Sequence, residues 1–251
     1  MNLEEYSQYR ETLLHEQPGF AYNTYLCTIP QDFARVDLHW HDHMEIIYVK
    51  KGRGTVTAAY RKYPVMAGSI MPILPGELHA IDGDPGVRME YENIIFPLSL
   101  LDNQVENDWA RRNILTPLQM GTLRFPRPIY ADIAMHAEVS AALDAADDAC
   151  SKRPDGYSLL VRSSLFRFFF VLYTHRIANT ECTDGSQINT GGLFQVTGDA
   201  HGLQNGIRAE DQHTGDYNAY RQIKHQTQFQ CLMSNSRSLC TDILGHHRHH
   251  T

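Results

Sequence analysis

The chain is predicted to be mainly β, with short strands closing a small barrel or sandwich, then an antiparallel helical hairpin, then a stretch of low order. Three observations carry this. Between residues 21 and 100, β-rich runs alternate with Gly and Pro at short intervals, the pattern of a sandwich or barrel and not of a βαβ sheet. From Ile129 the apolar residues recur every three or four positions, as on a helix. After Arg176 no such period survives, and Gln, Asn, Thr, Gly and His dominate.

Residues 1–20 precede the β region. The run from His39 to Lys51 reads as one strand, and alternation then puts His39, His41, His43 and Glu45 on one face with Ile47 and Val49. Trp40, Asp42 and Met44 take the other. A face that is polar at one end and apolar at the other suits a barrel mouth. Gly52-Arg53-Gly54 turns the chain and Thr55–Tyr60 resumes extended structure, so the two runs are expected to form a hairpin. Tyr63–Gly68 gives a short strand and turn, and Ser69–Leu74 another strand. Pro75-Gly76 is a turn, Leu78–Ile81 the next strand, and Val87–Phe96 closes the series.

Residues 101–127 are expected to be a connecting loop. Ile129, Ile133, His136, Val139, Leu143 and Ala146 then mark a helix over Ile129–Ala149, broken by Lys152–Gly156. A second helix is expected over Tyr157–Arg176, and so short a connection makes 128–176 an antiparallel hairpin. The second helix is apolar around most of its circumference, interrupted by Arg162, Ser163, Ser164 and Arg167. One barrel-facing stripe cannot bury all of it.

The spacing His39-x-His41-xxx-Glu45, six residues, Gly52, followed by Gly68 and Pro75-Gly-x-x-His79, resembles the two cupin motifs in the form found in AraC-type transcription regulators. The phrases HWHDHMEIIYVKKGRGTV, YPVMAGSIMPILPGELHAI and YENIIFPLSLL are similar to the sensor domain of that family. The resemblance covers about residues 15 to 175. Each motif alone is moderately specific, and the three in order are far more so. The resemblance implies a cupin barrel (a double-stranded, jelly-roll-like β-helix) over 21–100, an N-terminal arm over 1–20 that folds over the pocket or stays disordered, and dimerisation through 128–176. The second motif is compressed, and the Asn that enzymes often carry after the His is absent, which speaks against catalysis.

Three readings of His39, His41, Glu45 and His79 stay open. As ligands, three imidazoles and a carboxylate suit a divalent transition metal. As hydrogen-bonding groups, they suit a small organic effector such as a sugar or related metabolite, the usual role in the resembled sensor domains. As structural groups, they cap strands or pair with Asp37 and Asp42 and bind nothing. The rival from another class is a metal-dependent cupin enzyme of isomerase or dioxygenase type. A third is an interaction protein that keeps only the dimer surface.

Residues 177–251 show neither helix-turn-helix unit that the family would supply. Residues 176–251 hold six Lys or Arg against seven Asp or Glu, and residues 1–175 hold sixteen against twenty-two. Neither part clusters the cations that displace counterions from phosphates, so direct DNA binding is not expected. A frameshifted or degraded gene end and a genuine low-order extension both fit the composition of this stretch. The five cysteines (Cys27, Cys150, Cys182, Cys231 and Cys240) form no CxxC pair and indicate neither a disulfide framework nor a zinc knuckle. The acidic start Met1–Tyr6 is no signal peptide, and no apolar run approaches the roughly 20 residues of a spanning helix, so a cytoplasmic location is expected.

Overall fold

Eight strands pair into two four-stranded antiparallel sheets that face each other: β1 (Asn23–Ile29), β2 (Arg35–His39), β3 (Met44–Lys51), β4 (Arg53–Ala58), β5 (Arg61–Met66), β6 (Ile70–Ile73), β7 (His79–Gly83) and β8 (Met89–Phe96). The structure, a computed structural model, describes residues 2–12, 15, 19–105 and 107–177. One sheet runs β1-β8-β3-β6 and the other β2-β7-β4-β5. That is the order of a jelly roll, in which the chain passes repeatedly from sheet to sheet and closes a barrel. The expectation of a mainly β, cupin-type barrel holds.

Two cores follow from the alternation of the strands. Ile47, Val49, Val56, Ile81, Met89 and Tyr91 point into the barrel. Met44, Ile46, Ile94 and Phe96 point out of the first sheet and are covered by α3 (His136–Lys152) and α4 (Tyr157–Thr174). Strand β3 is therefore buried on both faces, which explains its nearly unbroken apolar sequence. Val139, Leu143 and Ala146 of α3 and Val161, Leu165, Phe168, Phe169 and Leu172 of α4 supply the helical side of that outer core.

Three expectations are corrected. No single strand carries residues 39 to 45. β2 ends at His39, the chain bends through Trp40–His43, and β3 starts in the opposite sheet. The ladder stops there because the Trp40 N–H donates to the Tyr9 carbonyl at 3.0 Å and the Trp40 carbonyl accepts from Glu11 at 2.9 Å, so the arm takes the place of a strand. The expected β3–β4 hairpin is also absent. Lys51 pairs with Glu90 on β8 while Arg53 pairs with Met66 on β5, which makes Gly52 a corner between sheets. The true hairpin joins β4 to β5 through Ala59 (φ 47°) and Tyr60 (φ 63°), a left-handed pair of the kind that usually carries Asn or Gly. The first helix starts seven residues late, because Ile129 exchanges two backbone hydrogen bonds with Ile70 (2.8 and 3.0 Å) and extends the edge of β6. Ile129 and Ile133 keep the helical spacing without being helical.

The expected plain loop over 101–127 contains a turn of π-helix at Arg111–Leu115 running into a short α2 (Thr116–Gln119), which buries Ile114, Leu115 and Leu118. The arm begins with α1 (Leu3–Ser7), capped reciprocally by Asn2 and Glu5. The low-order expectation for 177–251 falls on residues outside the described ones from 178 onward.

Gly52 lies at φ +76°, and a Cβ there would sit 2.0 Å from the Arg88 carbonyl oxygen. Backbone cannot yield as a flexible side chain does. Gly52→Ala is expected to cost at least about 1–2 kcal/mol, read as a lower urea midpoint.

Candidate ligand-binding site

His39 closes β2 directly opposite His79, the first residue of β7. Glu45 is the second residue of β3 in the other sheet, and His41 sits in the bend between the sheets. One mouth of the barrel thus collects all four side chains. Glu45 is 1 % exposed, His79 0 % and His41 6 %, so the cluster lies inside the protein.

Glu45 Oε2 lies 2.7 Å from His41 Nε2 and 2.8 Å from His79 Nε2. The potential ligand atoms of His39, His41, Glu45 and His79 all lie within 4.8 Å of one another. The backbone fixes two of the rings. His39 Nδ1–H donates to the Asp37 carbonyl and His79 Nδ1–H to the Glu77 carbonyl, both at 2.8 Å. A carbonyl only accepts, so the proton must be on Nδ1 and the neutral ring carries its lone pair on Nε2.

That leaves the His79 Nε2 lone pair facing a carboxylate oxygen at hydrogen-bond distance. Something positive must lie between them, either a proton on Nε2 or a metal cation. Burial works against ionisation of Glu45, but the His79 charge and hydrogen bonds from His41 and His79 outweigh it and hold the carboxyl well below its usual range. Burial likewise works against charging His79, and Glu45 outweighs it and raises the imidazole. His39 is lowered, first by burial and then by His79.

A cavity of about 320 Å³ is lined by His39, His41 and Glu45 of this cluster and also by Glu11, His15, Tyr25, Arg35, Tyr91 and Asn93. That volume accommodates a small metabolite. Alternation along β8 points Tyr91 and Asn93 inward, and the Asn93 Oδ1 and His41 Nδ1 atoms are buried without a hydrogen-bond partner among the described residues.

Part of the wall comes from the arm. Tyr6 stacks on Trp40 with ring centres 4.6 Å apart, and its hydroxyl donates to the Gly76 carbonyl at 2.6 Å. Arg10 pairs with Asp42 at 2.7 Å. His15, 6 % exposed, packs edge-on to His41 and meets Glu11 at 2.9 Å. Nothing in the sequence spacing singled out Glu11 or His15, whereas Asn93 was discoverable as the one amide on the inward face of an otherwise apolar strand. His43 is half-buried, with its ring 5.9 Å from that of His41. Of Asp37 and Asp42, only Asp37 meets a site histidine, through its backbone carbonyl and His39, while the two carboxylates pair with Arg35 and Arg10.

A larger cavity of about 500 Å³ lies elsewhere, between the β4–β5 hairpin and the segment around Leu123–Ile133. Its buried Glu77 is gripped by both guanidinium nitrogens of Arg127, one at 2.6 Å. None of the four candidate residues lines it.

Residues 23–145 match the family described as the AraC-like ligand binding domain. Among solved structures, a cupin protein from Bacteroides fragilis is 20% identical at a TM-score of 0.29, with 35% of this chain and 71% of that chain covered. A predicted oxalate decarboxylase from Thermotoga maritima is 20% identical at 0.28, covering 39% and 75%. The polyketide cyclase RemF from Streptomyces resistomycificus is 18% identical at 0.28, covering 32% and 56%. No curated protein matches the sequence. Among the described residues, no helix is long and apolar enough to cross a membrane.

Proposed function

We propose that the chain is the effector-sensing and dimerisation module of an AraC-type transcription regulator, holding a small organic ligand in the barrel through His39, His41, Glu45 and His79. The observation that carries the reading is the polar quartet, three of whose members (His39, His41 and Glu45) line a cavity of about 320 Å³, with further acceptors at Asn93 and His15. A sugar or related hydroxyl-rich metabolite suits such a wall. Catalysis is not assigned. Direct contact with DNA is not assigned either, because residues 1–175 carry sixteen Lys or Arg against twenty-two Asp or Glu. A regulator of this kind works if the ligand prefers one of two arrangements of the arm or the dimer contact, and the preference sets the size of the response.

Thermal-shift screening of sugars and small acids on the full chain tests this. A ligand at about a hundred times its Kd adds about 2.7 kcal/mol to the native state. The melting point should climb with ligand concentration in the wild type and stay fixed in His41→Ala. A screen with no stabilising compound, or a shift that survives in the variant, rejects the reading.

One observation favours a second occupant. His39 and His79 are oriented by backbone carbonyls, and the Nε2 atoms of His41 and His79 face a shared carboxylate, a donor set that fits a divalent transition ion. His39, His41, Glu45 and His79 would hold it, and the ion would supply a Lewis-acid anchor for a ligand oxygen. Metal analysis of purified protein separates the readings. Stoichiometric iron, manganese, nickel or zinc that disappears in His41→Ala supports the metal, and substoichiometric metal in the wild type rejects it.

A further inference from the structure

The cavity of about 500 Å³ has no part in the barrel-mouth site, and its lining has a chemistry of its own. It lies between the start of β5 and the segment that joins α2 to α3. Arg61 and Tyr63 stand two apart on β5 and so share one side of the strand, while Arg124 and Arg127 come from the joining segment. Leu74, Leu123 and Phe125, all buried, add apolar surface. Three guanidinium groups therefore line a partly apolar cavity together with one carboxylate, that of Glu77, which Arg127 already holds through both terminal nitrogens. The lining carries more cations than acids, in a chain whose net charge is -7.

Bonds between the walls hold the cavity in shape. The Tyr130 hydroxyl donates to the Pro64 carbonyl at 2.8 Å, which ties the joining segment to β5. Arg127 Nη1 donates to the Pro72 carbonyl at 3.1 Å, and the Ile177 N–H donates to the Arg124 carbonyl at 2.8 Å. A pocket shaped by its own bonds loses little freedom when a ligand enters, so its lining chemistry selects what binds.

We propose that this cavity is a second binding site, for a small organic carboxylate whose charged end is met by Arg61 and Arg124 and whose apolar body lies against Leu74, Phe125 and Ile133. Arg127 and Glu77 show the mode of recognition within the same cavity, since a guanidinium fork matches the two oxygens of a carboxylate. A bare anion would leave the apolar wall unused, and a neutral body would leave the charge of the lining unmatched. The site adjoins two others. Glu77 faces it with its side chain while the Glu77 carbonyl holds His79 Nδ1 of the barrel mouth at 2.8 Å, and the neighbouring Gly76 carbonyl accepts from Tyr6 of the arm. Ile177, which follows the helical hairpin, is also part of the lining. A carboxylate bound here would thus lie against the turn that supports His79 and against the chain as it leaves the hairpin.

Isothermal titration calorimetry of the full chain with benzoate and with hexanoate tests the site, against benzyl alcohol, hexanol and inorganic phosphate, which lack either the charge or the apolar body. At least one carboxylate should bind with a Kd below about 1 mM, and its alcohol and phosphate should bind at least about tenfold more weakly. Arg61 and Arg124 are exposed, so the double variant Arg61→Gln, Arg124→Gln should fold as the wild type does, and it should weaken the carboxylate by at least about tenfold, as expected for the loss of a charge-assisted hydrogen bond. His41→Ala, in the other site, should leave this affinity unchanged. Failure here and failure of the barrel-mouth reading are therefore read from different variants. Absence of binding by both carboxylates, an alcohol or phosphate that binds as tightly, a double variant with wild-type affinity, or loss of binding in His41→Ala overturns the proposal.

Discussion

In metal-free protein, Glu45→Ala is expected to lower stability by about 3–5 kcal/mol, the cost of stripping one partner from a buried charged pair. His41 and His79 would keep their places, since the Glu77 carbonyl still holds His79 Nδ1, but both Nε2 atoms would lose the carboxylate they now face. Glu45→Gln should cost much less. With its NH₂ where Oε2 now lies, one amide hydrogen can go to the His41 Nε2 lone pair and the other to that of His79, so both rings stay satisfied without any charge.

The comparison of wild type with Glu45→Gln also has a defined pH profile. The lowered carboxyl of Glu45 contributes above its ordinary 4.5 and loses its contribution as pH falls through the folded value. The raised imidazole of His79 contributes below its ordinary 6.5 and loses its contribution as pH climbs through the folded value. The advantage of wild type over the glutamine variant should therefore peak between about 4.5 and 6.5 and shrink on either side. Urea midpoints of the two proteins across that range measure it, and a difference independent of pH would mean that the pair is not ionised.

The same residues show how far the sequence could be read. His39, His41 and Glu45 were placed on one face by strand alternation, yet they meet through a corner between two sheets. Both geometries bring the three side chains to one mouth, so their meeting was legible although the backbone was not. His79 joins them because β7 pairs with β2 in a register that sets it opposite His39, a long-range fact for which only the resemblance gave a sign. Strand β1 was hidden because its alternation is inverted. Leu26 faces solvent at 72 % exposure, while Tyr25 and Cys27 face the pocket. The β4–β5 turn was hidden because Ala59-Tyr60 lacks the Asn or Gly that marks such turns. The arm's share of the site depends on contacts such as Tyr6 with Trp40 and Gly76, which no local period encodes.

Replacing Leu159 and Phe170 together by Glu should convert the proposed dimer to a monomer without unfolding it. Helix α4 is apolar on two sides. Val161, Leu165, Phe168 and Leu172 follow the spacing four, three, four and are buried in the outer core. Leu159, Ser163, Phe166 and Phe170 repeat the same spacing on the other side, where Leu159 is 67 % exposed and Phe170 60 %. Burying a Leu or Phe side chain is worth about 1.5–3 kcal/mol, so three such residues along one seam carry about 5–9 kcal/mol before the cost of association. A second copy of the helix, packed as a heptad seam, would cover them. Two carboxylates per chain in that seam would have to be desolvated against each other, which removes the gain. The monomer itself should barely change, because exposed positions tolerate substitution within about 0.5 kcal/mol. Sedimentation of wild type and variant, with melting points taken across a range of protein concentrations, distinguishes the outcomes. The melting point of a dimer rises with concentration and that of the variant should not. A monomeric wild type, or a double variant that still dimerises, would remove the hairpin from the proposed assembly.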